Sequence, residues 1–119
     1  MNAEVSILGQ PYRVSTRPLI DMLNDDGRCN SYSKEIHIRN LYDLFSEDNS
    51  ATNEDRIVRL KETVRHEVVH AFFYESGLSD SDEMLVDWIA KQLPKIYEVS
   101  ENIIKKVEKE YEQKTNVSD

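Results

Sequence analysis

His66-Glu67-Val68-Val69-His70 is the short segment of this 119-residue chain whose residue types and spacing spell out a reaction. The pattern is H-E-x-x-H. On a helix, four residues advance about 6 Å and turn slightly more than once, so both imidazoles project from one face. Two such rings can share a zinc ion, each giving a nitrogen at about 2.0–2.1 Å. Glu67 points to the side of the metal rather than at it. From there it can take a proton from a zinc-bound water whose pKa the metal lowers toward about 7. The expectation is one zinc ion per chain, with His66 and His70 as ligands and Glu67 as general base.

A competing reading leaves both histidines on the surface and Glu67 as a solvated charge. The neighbouring residues argue against it. Ile57, Leu60, Val64, Val68, Ala71 and Phe72 recur at spacings of three and four, the apolar stripe of an amphipathic helix. Val64, Val68, Ala71 and Phe72 should bury the flank beside the histidines. Thr52 with Asp55 three positions on resembles a capping box, and Gly77 suits the left-handed residue that ends a helix.

Zinc needs at least a third protein ligand. His37 is the one other histidine; it alternates with Ile36 and Ile38 and reads as a solvent-facing strand residue. The metzincin extension requires Gly at 73 and His at 76, but the chain has Phe73 and Ser76, which excludes that class. The carboxylates Asp80, Asp82, Glu83 and Asp87 remain. Asp80 and Asp82 read as helix N-terminal charges with no site role. If two straight antiparallel helices turn near Gly77 and Leu78, Asp87 comes level with His70 and Glu83 nearer Tyr74. A helix crossing would instead bring Glu83 in.

Glu83-Met84-Leu85-Val86-Asp87-Trp88-Ile89-Ala90 has the form E-x-x-x-D. It resembles the second motif of gluzincin metallopeptidases. It is more similar still to small phage and prophage ImmA/IrrE-type metallo-endopeptidases, whose second helix typically reads E-x-x-A-[DN]-x-F-A. Val86 stands here for the Ala and Ile89 for the Phe. The resemblance covers residues 60–94, roughly a third of the chain. It implies Glu83 as the third zinc ligand and Asp87 as the residue that orients a ligating histidine, with Asp87 the alternative ligand. It also implies hydrolysis of a peptide bond, in a peptide or protein substrate such as a regulator. Three protein ligands leave a fourth position open, as in catalytic zinc sites. The oxyanion of a tetrahedral intermediate would need a further donor. Tyr74, one turn beyond His70, is the candidate, with Tyr32 and His37 behind it.

The elements that must position these groups read as strands first and helices after. Two short strands fill residues 3–16, broken by Gly9-Gln10-Pro11. Residues 17–24 suit a helical turn, and Asn24-Asp25-Asp26-Gly27 a chain reversal. Arg28 to Ser31 and Lys34 to Arg39 read as two more strands, the latter a possible edge along which an extended substrate could pair. Residues 40–51 read as a loop with a short helix. The active-site helix follows, then a second helix from near Ser79–Ser81 to Leu93. A third starts at Pro94 and carries Ile96, Val99, Ile103, Val107 and Tyr111. Trp88 should pack between the second helix and the core, and the stripe of the third should pack within the chain. This is one α+β domain over 1–119, strand-rich over 1–40, helical over 52–113, with a polar tail at 114–119. A minimal zincin-like fold results: a small antiparallel sheet on the H-E-x-x-H helix plus two further helices.

Composition narrows the partners. A net charge of −8 argues against nucleic acid and against an anionic membrane surface. No stretch approaches the roughly 20 apolar residues that span a bilayer. A lone cysteine, Cys29, and an N-terminus without a basic-then-apolar signal point to the cytoplasm. Two other classes compete: a non-catalytic zinc-binding regulatory or interaction module of a phage or mobile element, and a metal-free helical interaction protein in which the motif is accidental.

Overall fold

The computed structural model describes residues 2–23, 25–40, 52–78 and 82–117. In chain order they form β1 (Asn2–Ile7), β2 (Gln10–Arg17), the single turn α1 (Leu19–Met22), β3 (Gly27–Asn30), β4 (Glu35–Arg39), α2 (Asn53–Glu75) and α3 (Glu83–Val117). The class is α+β, as the order of strands before helices predicts. The expected loop at 41–51 and the expected helix start at 79–81 lie outside the described residues.

Local chemistry fixes the hairpins. β1 and β2 join through Leu8 and Gly9, both at positive φ (49° and 84°). That is the two-residue turn whose twist matches the flanking strands. Between β3 and β4, the Asn30 side-chain oxygen accepts the N–H groups of Tyr32 and Ser33, each at 3.1 Å, and shapes the reversal.

The sheet order is β1-β2-β4-β3. β1 and β4 run antiparallel to β2 and β3 respectively, but β2 and β4 are parallel. The sheet is therefore mixed, not antiparallel. After β2 the chain crosses through α1 to the far edge, lays down β3, and folds β4 back into the space between. Lys34–Arg39 is accordingly not an edge; β3 is the edge strand on that side.

Ile36 and Ile38 of β4, 1% and 3% exposed, meet Tyr12, Ile7 and Ala71 in the main core, with Leu60 and Val68 of α2 packed around it. α2 starts at the capping box: Thr52 Oγ1 accepts from the Asp55 N–H, and the Asp55 carboxylate accepts from the Thr52 N–H, both at 3.1 Å. Gly77, at φ 79°, follows its end. The stripe is narrower than its spacing suggests. Leu60, Val68 and Ala71 reach the sheet, whereas Ile57, Val64 and Phe72 stay exposed. The sheet is short, and α3 takes a different flank of α2: Val86, Ile89 and Ala90 pack on Val69 and Phe73.

α3 departs further from expectation. It is one helix running through Pro94, not two. Proline there removes one bond, to the Ala90 carbonyl, and the Glu- and Lys-rich sequence around it is helix-favouring enough to continue. The expected polar tail is likewise helical to Val117. Trp88 is 57% exposed, and Ile96, Val99, Ile103, Val107 and Tyr111 are exposed as well. Beyond its contact with α2, then, the stripe of α3 is uncovered among the described residues. Among those residues no helix is long and apolar enough to cross a membrane.

Candidate metal centre

α2 sets His66 and His70 one turn apart. Their rings meet edge to face, centroids 4.8 Å apart and planes at 71°, with the two Nε2 atoms separated by 3.2 Å. Glu83, in the first turn of α3, reaches across. Its Oε2 lies 3.0 Å from His66 Nε2 and its Oε1 2.9 Å from His70 Nε2. A tetrahedral zinc with bonds of about 2.0–2.1 Å holds its ligand atoms roughly 3.3 Å apart. The three groups thus converge to within a few tenths of an ångström of that spacing, and nitrogen with carboxylate oxygen is a donor set zinc takes.

Asp87, one turn further along α3, stands elsewhere. Its Oδ1 is 3.8 Å from His66 Nδ1, behind the ring, and its Oδ2 is 3.0 Å from Lys91 Nζ. That hydrogen bond raises the pKa of Lys91. The packing of Val86 and Ala90 on Val69 brings Glu83, not Asp87, level with the facing nitrogens. Asp82 accepts the Leu85 N–H at 3.0 Å, the ordinary work of a residue just before a helix. Asp80 lies outside the described residues.

Glu67 is 6% exposed, held beneath β3. A carboxylate oxygen of Glu67 and a ring nitrogen of each histidine lie within 4.8 Å of one another, a looser set than Glu83 makes. Burial first, then the carboxylates of Glu83 and Asp25, push its pKa up to about 7. Among the described residues its carboxylate has no hydrogen-bond partner. Gly27 of β3 makes this burial possible. A Cβ there would sit 2.7 Å from Thr63 Cγ2 and 2.8 Å from Glu67 Cγ.

A cleft of about 400 Å³ opens beside Glu67. Its walls are the Asp25–Gly27 turn, the face of α2 bearing Arg59, Glu62, Thr63 and His66, and Asp87 and Lys91 of α3. Arg59 is fastened to Asp26, Nη2 to Oδ1 at 2.9 Å. Sequence reasoning read Gly27 as a turn residue and passed over Arg59, Glu62 and Lys91. A signal was present: Arg59, Glu62, Thr63, His66 and His70 recur at helical spacing, a polar stripe beside the apolar one.

The oxyanion candidates are not brought to this cleft. Tyr74 packs edge-on against Tyr32, ring centroids 6.0 Å apart, with Lys34 Nζ 4.8 Å from its own ring centre. Both tyrosines line a separate cavity on the other flank of β3. His37 sits on the sheet face opposite Ile36 and Ile38, 3.4 Å from Glu35. Strand alternation puts it on the side away from α2.

No protein-family model, no curated protein and no solved structure matches this chain.

Proposed function

We propose that this chain is a zinc-dependent peptidase in which His66, His70 and Glu83 hold the metal and Glu67 is the general base. One observation carries it: Glu83 leaves its own helix to place one oxygen 3.0 Å and the other 2.9 Å from two imidazole nitrogens that already face each other. A zinc ion, when bound, supplies Lewis-acid polarisation and makes water nucleophilic near neutral pH. The chain's residues do the rest. Glu67 takes a proton from the attacking water and returns it to the leaving amine. Its cover by Gly27 keeps bulk water from its flank. Asp87 Oδ1, 3.8 Å from His66 Nδ1, is a small side-chain movement short of a hydrogen bond that would fix that ring's tautomer.

β3, not Lys34–Arg39, offers the free strand edge beside the cleft, so an extended peptide can pair along it. The likeness of Glu83–Ala90 to the second motif of ImmA/IrrE-type endopeptidases supports the same assignment. A regulatory protein as substrate and a phage or prophage origin come with that likeness, and the lone Cys29 supports a cytoplasmic setting. A second reading, a zinc-bearing interaction module, draws on the exposed stripe of α3. Glu67 counts against it, because a purely structural zinc site has no use for a buried carboxylate opening on a cleft.

Protein purified without added metal should carry about one zinc per chain. It should cleave a denatured protein substrate, and Glu67→Gln should stop cleavage while zinc stays bound. Failure to take up zinc on titration would end the proposal.

A further inference from the structure

We infer that the free length of α3 is the seam of a homodimer, pairing antiparallel with the same stretch of a second copy from Leu93 to Val107. The inference is independent of the zinc site.

α3 carries a seven-residue repeat. Val86 and Ile89, then Leu93, Ile96, Ser100, Ile103 and Val107, follow one another at alternating spacings of three and four. That is the pattern with which helices supercoil on one another. Its first part is used inside the chain: Val86 and Ile89, with Ala90, pack on Val69 and Phe73 of α2. The rest of the helix, residues 91–117, runs on for about 40 Å. There Ile96, Ile103 and Val107 are 51%, 57% and 44% exposed, with Tyr97 and Ile104 exposed beside them. Helices in proteins take most of their stability from packing an apolar face. A seam that is covered at one end and bare at the other is completed by a further helix of the same repeat, and a second α3 has that repeat.

Charge and space set the direction. In an antiparallel pair Ile96 meets the partner's Val107, and Ser100 the partner's Ile103. That register also sets Lys91 level with the partner's Glu112, Lys95 with the partner's Glu108 and Glu98 with the partner's Lys105. In a parallel pair in register, each charge would stand level with its own copy. Residues 93–109 hold four lysines and three glutamates, so the seam is nearly neutral in a chain of net charge −8. The acidic surplus lies on the rest of the chain. Antiparallel pairing sends those two acidic bodies to opposite ends of the rod. Parallel pairing would bring them side by side, against the α2 that already occupies the seam at Val86 and Ile89.

The test is sedimentation velocity of the full chain from about 1 to 500 µM in 0.15 M salt. The weight-average mass should rise from 13.9 kDa toward twice that value. The Kd should be on the order of 10 µM. Ile103→Glu, at an exposed residue of neither core cluster, should weaken the dimer at least about tenfold. Ser100→Leu, which fills the polar position of the repeat, should tighten it about tenfold. Direction is read from spin labels on Glu112→Cys in a Cys29→Ser background. The antiparallel register sets the two labels about 30 Å apart along the axis, whereas a parallel pair brings them within about 20 Å. A chain that stays monomeric throughout, a dimer that Ile103→Glu leaves unchanged, or labels at the short distance would each overturn the inference.

Discussion

Oε1 of Glu83 lies 2.9 Å from Nε2 of His70, across the seam between α3 and α2. The Glu83 side chain is 66% exposed. An ion pair that open to solvent contributes about 0–1 kcal/mol, too little to explain why one carboxylate is divided between two imidazoles. The zinc ion proposed above would give all three groups a common partner. Glu83→Ala should therefore weaken zinc binding more than Asp87→Ala, measured by competition with a chelator. Asp87→Ala should cost about 10–100-fold, as for a group that orients a ligand. If Asp87→Ala strips the metal and Glu83→Ala does not, the two roles are reversed.

Gly27→Ala tests the cover over the base. The new Cβ would lie 2.7 Å from Thr63 Cγ2 and 2.8 Å from Glu67 Cγ, so α2 or β3 must shift or Glu67 must swing. Overpacking of this kind costs about 1–3 kcal/mol, read by chemical denaturation. Zinc content should stay near one per chain, because neither histidine nor Glu83 is touched, while hydrolysis falls at least about tenfold. Unchanged activity in Gly27→Ala would show that Glu67 does not need its present position.

Local signals were legible and relational ones were not. The Thr52–Asp55 capping box, the Gly77 stop and the inward pair Ile36 and Ile38 each depend on residues a few positions apart, and each appears in the fold. Glu83 was one of two candidates because its reach depends on how α3 lies on α2, which Val69, Val86 and Ala90 decide together. Gly27 read as a turn because its task, to lie against Glu67, exists once β3 becomes the edge strand over α2. The parallel pairing of β2 with β4 was hidden for the same reason: alternation reports a strand's faces, not its neighbours. The stripe from Ile96 to Tyr111 shows the limit from the other side. Periodicity marked the apolar face correctly, yet it carries no information on whether the chain supplies anything to cover it.

Metal-free protein should lose stability as pH rises through the range that Glu67 titrates. Burial raises its pKa from about 4.5 to about 7 in the folded state. A raised carboxyl favours folding fully below the lower value. Between about 4.5 and 7 the unfolded chain ionises while the folded one resists, and the loss is complete above. The difference amounts to roughly 3 kcal/mol at most. Urea denaturation of the chelator-treated protein at pH 5 and pH 8 should show this slope, and Glu67→Gln should flatten it. A slope unchanged in Glu67→Gln would assign the effect to other groups.

Tyr12, Lys34 and Glu75 tie the end of α2 to the sheet, and they should behave as one unit. The Tyr12 hydroxyl donates to Glu75 Oε1 at 2.7 Å, and Lys34 Nζ donates to the same oxygen. Lys34 first, then Tyr12, hold the Glu75 carboxyl below its usual pKa. Its contribution is thus present above about pH 4.5 and fades as pH falls. Burial, then Glu75, raise the pKa of Tyr12, so its contribution is present below about pH 10 and fades as pH climbs beyond that. Tyr12→Phe keeps the ring in the core and removes the hydroxyl, which should cost about 1 kcal/mol near neutral pH, or a fall of about 3–6 °C in Tm for a domain of this size. Tyr12→Phe should also melt with a weaker decline above pH 10 than the unaltered chain. Because both donors meet one oxygen, the loss in Tyr12→Phe combined with Lys34→Met should differ from the sum of the single losses. Strict additivity in that cycle would mean the two contacts act independently.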